Sequence, residues 1–122
     1  RVLVVDDNAD IRESLGLILE MWGQQVAFAS TGREALEHAR ELKPDVALID
    51  IGLPELNGYE VARATRAAAT SWSNDVALIA LTGYGRDSDR EHALNAGFDL
   101  HLVKPVDLDA LAQALTGRVG GS

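Results

Sequence analysis

Five polar residues with complementary chemistry each follow a short apolar segment of this sequence. Asp6 and Asp7 come after one such segment, and Asp50 comes after another. Thr82 and Lys104 follow two more. Carboxylates bind hard cations or act as nucleophiles, a hydroxyl donates a hydrogen bond, and an ammonium group neutralises anionic oxygens. These groups together suit phosphoryl transfer, in which catalysis consists mainly of positioning and charge neutralisation.

The three aspartates need a cation if the fold brings them together. Carboxylates about 4 Å apart repel one another by roughly 4 kcal/mol per pair at an effective dielectric constant near 20, so they would not all stay ionised unaided. Their ligand atoms are all oxygens, which favours Mg²⁺, or Mn²⁺ as the alternative. The ion could take one oxygen of an incoming phosphoryl group, Lys104 a second, and Thr82 with a backbone N–H the third. Asp50 is then left as the nucleophile.

Alternating elements place these residues at one rim. Apolar segments rich in β-branched residues predict five strands, at 2–5, 26–29, 46–49, 76–81 and 100–103. Helical patterns separate them, with capping residues predicted at Asn8, Thr31, Asn57, Ser88 and Asp107 and helix ends at Gly23, Gly97 and Gly117. Continuous apolarity indicates a parallel sheet covered on both faces. In such sheets ligands bind outside the carboxyl ends of the strands, where the five polar residues lie.

Composition narrows the class of protein. The 122 residues suit one domain, which we expect over 1–117, with 118–122 as a tail or the start of a linker. The absence of cysteine excludes disulfides and thiolate chemistry. A net charge of −8 opposes direct nucleic-acid binding, and the apolar segments are too short to insert into a membrane, so we expect a cytoplasmic protein. Arg63 and Arg66 are expected on a solvated helix face.

The order and spacing of these residues resemble the receiver domain of two-component response regulators along nearly the whole chain. The acidic pair, then Asp50 followed by Leu53, Pro54 and Gly58, then Thr82, then Lys104 with Pro105, all occur in the order of that family. The resemblance implies an α/β, flavodoxin-like, doubly wound (βα)5 fold with strand order 2-1-3-4-5.

The resemblance also implies the chemistry. Asp50 would accept a phosphoryl group from a histidine kinase or a histidine phosphotransfer domain. Asp7, Asp50 and the backbone carbonyl of Gly52 would ligate Mg²⁺ directly, and Asp6 largely through water. The domain would catalyse only its own phosphorylation and dephosphorylation, so it would not be an enzyme in the usual sense. The surface of the fourth helix, fifth strand and fifth helix would carry the output, and the bond between Lys104 and Pro105 is expected to be cis.

Three positions depart from the common pattern or modulate it. His101 stands where many receivers carry the tyrosine or phenylalanine that rotates inward when the threonine moves, so it is either a modified switch residue or a half-exposed strand histidine without a special role. Gly52 and Tyr84 flank the phosphoryl site. Since Gly52 has no side chain to orient water, we predict that Tyr84 is the main local shield, with ordinary loop packing as the alternative.

Two other functions compete with the signalling interpretation. A metal-dependent phosphohydrolase with an aspartate nucleophile typically needs a second acid two residues later, where this chain has Gly52. An interaction module that has lost phosphorylation would not be expected to keep all five polar residues. The segment from Thr82 to Glu91 is similar to receivers fused to sensor histidine kinases, which suggests a covalently linked sensor kinase as a partner.

Overall fold

The structure is a computed structural model of the chain. It describes residues 1–53, 55–68, 75–83, 87–104 and 106–119, and within these the side chains of 87–90 and 116–119 are left out. The strands are β1 (Val2–Val5), β2 (Val26–Ala29), β3 (Val46–Asp50), β4 (Ala77–Thr82) and β5 (Leu100–Val103). The helices in the described part are α1 (Ala9–Met21), α2 (Gly32–Leu42), α3 (Gly58–Ala67), α4 (Asp87–Ala96) and α5 (Leu108–Val119).

The five strands form one parallel sheet in the order β2-β1-β3-β4-β5. This confirms the predicted fold class and strand order. Because all strands run in the same direction, β1, β3, β4 and β5 end at the same edge of the sheet. The register pairs Val5 with Ile49, Asp50 with Leu81, and Thr82 with Val103, so the predicted site residues lie side by side.

The core consists of two apolar layers, one on each face of the sheet. Alternate residues of the central strands point to opposite faces. One layer joins Val4, Leu48 and Ile79 to Leu19 of α1 and Leu111 of α5. The other layer joins the intervening strand residues to helices α2, α3 and α4. Both faces of β1, β3 and β4 are therefore buried, which explains why these strands are continuously apolar in sequence.

Most helix ends follow the predicted signals. Asn8 and Thr31 accept backbone N–H bonds at the start of α1 and α2, and Asn57 forms a complete capping box with Glu60. Gly97 has φ of +110° directly after α4, a conformation that favours glycine. The helix therefore ends where the sequence predicted.

Two predicted helix ends were wrong. Helix α5 continues through Gly117 to Val119. Glycine permits a helix stop but does not require one, and its cost inside a helix is only about 1 kcal/mol. Ser88 lies inside α4, which begins at Asp87, so it does not cap that helix. Strand β4 also runs one residue later than predicted and includes Thr82.

The prediction that Arg66 is solvated was also wrong. Its guanidinium donates to the carbonyl oxygens of Gly97 at 3.0 Å and Val76 at 2.9 Å, and pairs with Asp99 at 2.8 Å. The Asp99 carboxylate also accepts the backbone N–H of Leu78. Arg66 thus ties α3 to the start of β4 and to the turn between α4 and β5. Arg63 is exposed, as expected.

Candidate functional site

The carboxylates of Asp6, Asp7 and Asp50 form a cluster at the carboxyl edge of the sheet, with one oxygen of each within 4.8 Å of the others. Asp6 is fully buried, Asp50 is 9% exposed and Asp7 is exposed. Hard cations prefer an oxygen-only set of this kind, and Mg²⁺ typically binds one or two carboxylates while keeping several waters. The donor set therefore fits a hard divalent cation. It is the one such group found among the described residues.

Asp6 is held in place from several directions. Its Oδ1 accepts the backbone N–H of Asn8 at 2.9 Å, and its Oδ2 accepts a hydrogen bond from Lys104 Nζ at 2.8 Å. Its backbone carbonyl accepts a hydrogen bond from Arg12 Nη1 at 2.6 Å. A buried carboxylate is costly unless it is paired and hydrogen-bonded, and these contacts meet that cost. Both side-chain oxygens of Asp6 already have protein partners, whereas Asp7 faces solvent.

Lys104 joins the two buried aspartates. Its ammonium lies 2.8 Å from Asp6 and 3.3 Å from Asp50 Oδ1. Burial by itself lowers the pKa of Lys104, but the hydrogen bond to Asp6 and the charges of Asp50 and Asp6 outweigh that effect, so the pKa is raised above its ordinary value. The backbone N–H of Lys104 also donates to the carbonyl of Thr82 at 2.7 Å, which fixes the start of the loop after β5.

The segment after Asp50 is shaped by two glycines. The N–H of Gly52 donates to Asp50 Oδ1 at 3.0 Å and orients that carboxylate. At Gly58 an added Cβ would lie 2.7 Å from the carbonyl oxygen of Asp50 and 2.8 Å from Cα of Ile51. Real Cβ atoms do not approach backbone that closely, so only glycine lets α3 start against the end of β3. An added Cβ at Gly52 would instead make an ordinary contact of 3.7 Å with Asp50.

Thr82 and His101 form a direct side-chain contact. The Oγ1 atom of Thr82 lies 2.8 Å from Nε2 of His101, and the tautomer of the imidazole decides which group donates. Thr82 is 5% exposed and His101 is half-buried. Strand alternation puts the side chains of Thr82 and Ala80 on the same face of β4, the face that α2, α3 and α4 cover. The register pairs Ala80 with His101 on β5, so the imidazole lies on that face too.

The structure thus brings together Asp6, Asp7, Asp50 and Lys104, and it joins Thr82 to His101. Tyr84 and Pro105 lie outside the described residues, so the shield and the cis bond stay predictions. Sequence reasoning missed Arg12, whose guanidinium contacts the backbone of the acidic turn. Its position in the second turn of the helix that follows the acidic pair was the available signal, because a side chain there can reach back toward the helix start.

A parallel five-stranded α/β sheet with an acidic cluster and a paired lysine at its carboxyl edge defines a flavodoxin-like fold of the receiver class. The sequence profile described as "Response regulator receiver domain" matches residues 2–116. The chain belongs to this family, and it is a receiver domain of two-component signalling.

Individual proteins show the same relationship. The transcriptional regulatory protein PrrA of Mycobacterium tuberculosis is 42% identical over all of this chain and 52% of its own length. This chain therefore spans about half the length of the curated relatives it matches. The receiver domain of the sensor histidine kinase PA1611 from Pseudomonas aeruginosa, solved with a magnesium ion in its active site cleft, superposes with a TM-score of 0.87 at 32% identity, covering 98% of this chain and 96% of that one.

A further solved structure shows a receiver with its signalling partner. It is the receiver domain of Ssk1 from Saccharomyces cerevisiae, crystallised with the histidine phosphotransfer protein Ypd1, with a TM-score of 0.85 and 30% identity over 94% of this chain and 85% of that one. In the part of this chain that the structure describes, no helix combines the length and apolarity needed to cross a membrane.

Proposed function

We propose that Asp50 accepts a phosphoryl group from a phosphohistidine of a histidine kinase or a histidine phosphotransfer domain, in a Mg²⁺-dependent reaction. The observation that carries this proposal is the position of Asp50 within the acidic cluster and 3.3 Å from the ammonium of Lys104. The Asp50 carboxylate thus belongs to an oxygen-only cluster that suits a hard cation, and it also lies beside a positive charge. Both are needed to bring a dianionic phosphoryl group to a carboxylate.

The reaction is a simple displacement. An oxygen of the Asp50 carboxylate forms a bond to phosphorus while the phosphorus–nitrogen bond to the donor imidazole breaks, and the imidazole takes a proton from solvent. The product is an acyl phosphate. Water later attacks the phosphorus and the bond to the Asp50 oxygen breaks, which releases inorganic phosphate and restores the carboxylate. The signal is therefore self-limiting.

Asp7, Asp50 and the backbone carbonyl of Gly52 would hold Mg²⁺ directly, with Asp6 acting largely through water. The firm attachment of both Asp6 oxygens to Asn8 and Lys104 supports that indirect role. When bound, the ion supplies charge neutralisation for the phosphoryl oxygens. The carboxylates repel one another without it, so they set the requirement for a divalent cation.

Lys104 and Thr82 complete the phosphoryl site. Lys104 is close enough to Asp50 to neutralise a phosphoryl oxygen with modest movement. Thr82 would donate its hydroxyl to another oxygen, which changes its contact with His101 and passes the event to β5. His101 is thus the switch residue of the proposal. Tyr84, Gly52 and Pro105 are proposed to modulate the lifetime and geometry of the site.

The readout would occur on the α4, β5 and α5 surface. Exposed apolar side chains lie on these elements, namely Leu94, Leu100, Val103 and Leu108. Val103 follows His101 by two residues on β5 and so lies on the same face of the strand, which offers a route from the imidazole to this surface. We place the protein in the cytoplasm, with a covalently linked sensor kinase as one form of the donor.

The domain is not proposed to be a turnover enzyme. Catalysis would be limited to its own phosphorylation and dephosphorylation. An aspartate-based phosphohydrolase needs an acid to protonate the leaving group, and Gly52 offers none at the position where such enzymes carry it. The interaction-only alternative is disfavoured by the assembled cluster of Asp6, Asp7, Asp50 and Lys104.

The test is incubation with acetyl phosphate and Mg²⁺, followed by intact mass measurement. The wild type should gain one phosphoryl group, Asp50→Asn should gain none, and removal of Mg²⁺ with a chelator should abolish the gain. Asp75→Asn, which changes an exposed aspartate outside the cluster, is the matched control and should behave like the wild type. An unmodified wild type would favour the interaction-only function, and sustained phosphate release from many substrates would favour the hydrolase.

A further inference from the structure

Arg12 contacts the turn that carries the acidic pair. Its Nη1 donates to the carbonyl oxygen of Asp6 at 2.6 Å, and its side chain is half-buried. The N–H of Asp6 is bonded to Ala29 in the neighbouring strand, whereas its carbonyl lies beyond the paired region of β1. The guanidinium therefore takes the place of a sheet hydrogen bond at the point where the strand turns into the loop. Charge-assisted hydrogen bonds of this kind are short and strong.

The contact reaches Asp7 through the backbone. The carbonyl of Asp6 and the N–H of Asp7 belong to the same peptide unit, which is planar. A hydrogen bond that holds the carbonyl oxygen therefore also holds the plane of that peptide unit, and with it the direction in which the Asp7 side chain leaves the backbone. Asp7 is the exposed carboxylate of the cluster, and neither the described hydrogen bonds nor the described ion pairs include its side chain. Its direction thus depends on the backbone that Arg12 holds.

The other aspartates are oriented differently. Asp6 is held through its own two oxygens by Asn8 and Lys104, and Asp50 by Gly52 and Lys104. The backbone clamp by Arg12 thus acts on the one member of the cluster that lacks such side-chain contacts among the described residues. An arginine is also an unexpected choice beside a cation site, because its charge opposes the binding of a divalent ion.

We propose that Arg12 is a positioning residue for the metal site, which holds the Asp6–Asp7 peptide so that the Asp7 carboxylate points into the acidic cluster. This inference rests on the proposed function, because it assigns a purpose to Asp7 as a metal ligand. Arg12 affects the affinity for Mg²⁺ in two ways that have opposite signs. Loss of the clamp weakens binding, whereas loss of the positive charge alone strengthens it.

The test is the Mg²⁺ dissociation constant of the unphosphorylated full chain, measured by calorimetry. Arg12→Met should bind Mg²⁺ roughly three- to tenfold more weakly, a change that corresponds to part of one charge-assisted hydrogen bond. Arg12→Lys keeps the charge and an N–H donor, so it should recover part of the affinity. Arg63→Met removes an exposed arginine elsewhere and serves as the matched control, with an affinity equal to that of the wild type or slightly higher.

The outcomes separate the two proposals. If the wild type binds Mg²⁺ and Asp7→Asn does not, but Arg12→Met binds as tightly as the wild type or more tightly, the positioning role is overturned and the phosphoacceptor function stands. If the wild type does not bind Mg²⁺, both fail. Urea unfolding without Mg²⁺ shows whether Arg12→Met is folded. If it is not, Arg12→Lys and Arg12→Gln replace it, and affinities equal to that of the wild type in both would overturn the inference.

Discussion

The Nε2 atom of His101 lies 2.8 Å from the hydroxyl oxygen of Thr82. This contact links a buried residue at the proposed phosphoryl site to the outer strand of the sheet. A Thr82 side chain that turns toward a phosphoryl oxygen moves its Oγ1 atom away from Nε2, so the contact with His101 changes whichever of the two groups donates the hydrogen bond. The imidazole can respond because it is only half-buried.

Replacing His101 by alanine should uncouple the proposed phosphoryl site from the proposed output surface. We expect His101→Ala to accept a phosphoryl group or the mimic beryllofluoride, because the residue does not contact Asp50 in the described contacts. The shifts that beryllofluoride causes in the amide NMR signals of Leu100, Val103 and Leu108 should shrink by about half or more, since a hydrogen bond worth about 1 kcal/mol is lost. Shifts equal to those of the wild type would rule out the switch role. His38→Ala, which changes a histidine on α2, is the control.

Removing one charge from the acidic cluster should stabilise the protein when no divalent cation is present. Asp7→Asn should raise the free energy of unfolding by about 1 kcal/mol, because repulsion among the carboxylates is relieved. Added Mg²⁺ should stabilise the wild type by mass action and Asp7→Asn hardly at all. Urea unfolding with and without MgCl2 measures both effects. Asp75→Asn should keep the wild-type response, and an equal response of Asp7→Asn would contradict the assignment.

Adding a methyl group at Gly58 should disturb Asp50, the proposed phosphoryl acceptor. The new Cβ would meet the backbone of Asp50 and Ile51 at less than 3 Å, so Gly58→Ala should lose about 1–3 kcal/mol of stability through overpacking and should accept the phosphoryl group more slowly. Gly83→Ala is the control, because an added Cβ there meets nothing within 4 Å. Thermal unfolding and acetyl phosphate labelling measure the two effects. Equal stability of the two variants would contradict this prediction.

The guanidinium of Arg66 should contribute to stability despite its position on a helix surface. Arg66→Met removes the bonds to Gly97, Val76 and Asp99 and leaves two carbonyl oxygens without their described donor. We expect a loss of about 2–3 kcal/mol in urea unfolding. Arg63→Met, four-fifths of a turn away and exposed, should change stability by less than about 0.5 kcal/mol. Similar losses of stability in the two variants would mean that the hydrogen bonds of Arg66 do not stabilise the fold.

The raised pKa of Lys104 predicts a stability change at alkaline pH. The folded protein binds this proton more tightly than the unfolded chain does, so the contribution to stability is fully present below the ordinary lysine pKa of about 10.4 and is lost as pH rises through the higher folded value. Lys104→Met should therefore lose less stability than the wild type above about pH 10. Lys43→Met, on the other lysine of the chain, should follow the wild type in urea unfolding. If Lys104→Met lost as much stability at alkaline pH as the wild type, the loss could not be attributed to Lys104.

Much of the fold was open to prediction because local signals agreed with one another. Continuously apolar strands indicated a sheet buried on both faces, and Asn8, Thr31 and Asn57 cap helices as their spacing suggested. The predicted helix end at Gly117 was wrong because glycine allows a helix to end but does not force it to, and here the helix continues. Arg66 misled because a helical pattern shows which face is polar but not which turns from elsewhere in the chain pack beside it.

The amino-acid sequence by itself determined which residues stand at the carboxyl ends of the strands, because local apolar segments set where each strand ends. Since all strands of a parallel sheet run in the same direction, these ends meet at one edge. The sequence therefore indicated Asp6, Asp7, Asp50, Thr82 and Lys104 as a group. Only the tertiary structure decided the pairings within that group. Lys104 bridges Asp6 and Asp50, His101 holds Thr82, and Arg12 holds the acidic turn. These contacts depend on distances between side chains. Most of these side chains are far apart in sequence, and Arg12 reaches back from its helix to the preceding turn. Such distances are set only when the helices pack on the sheet.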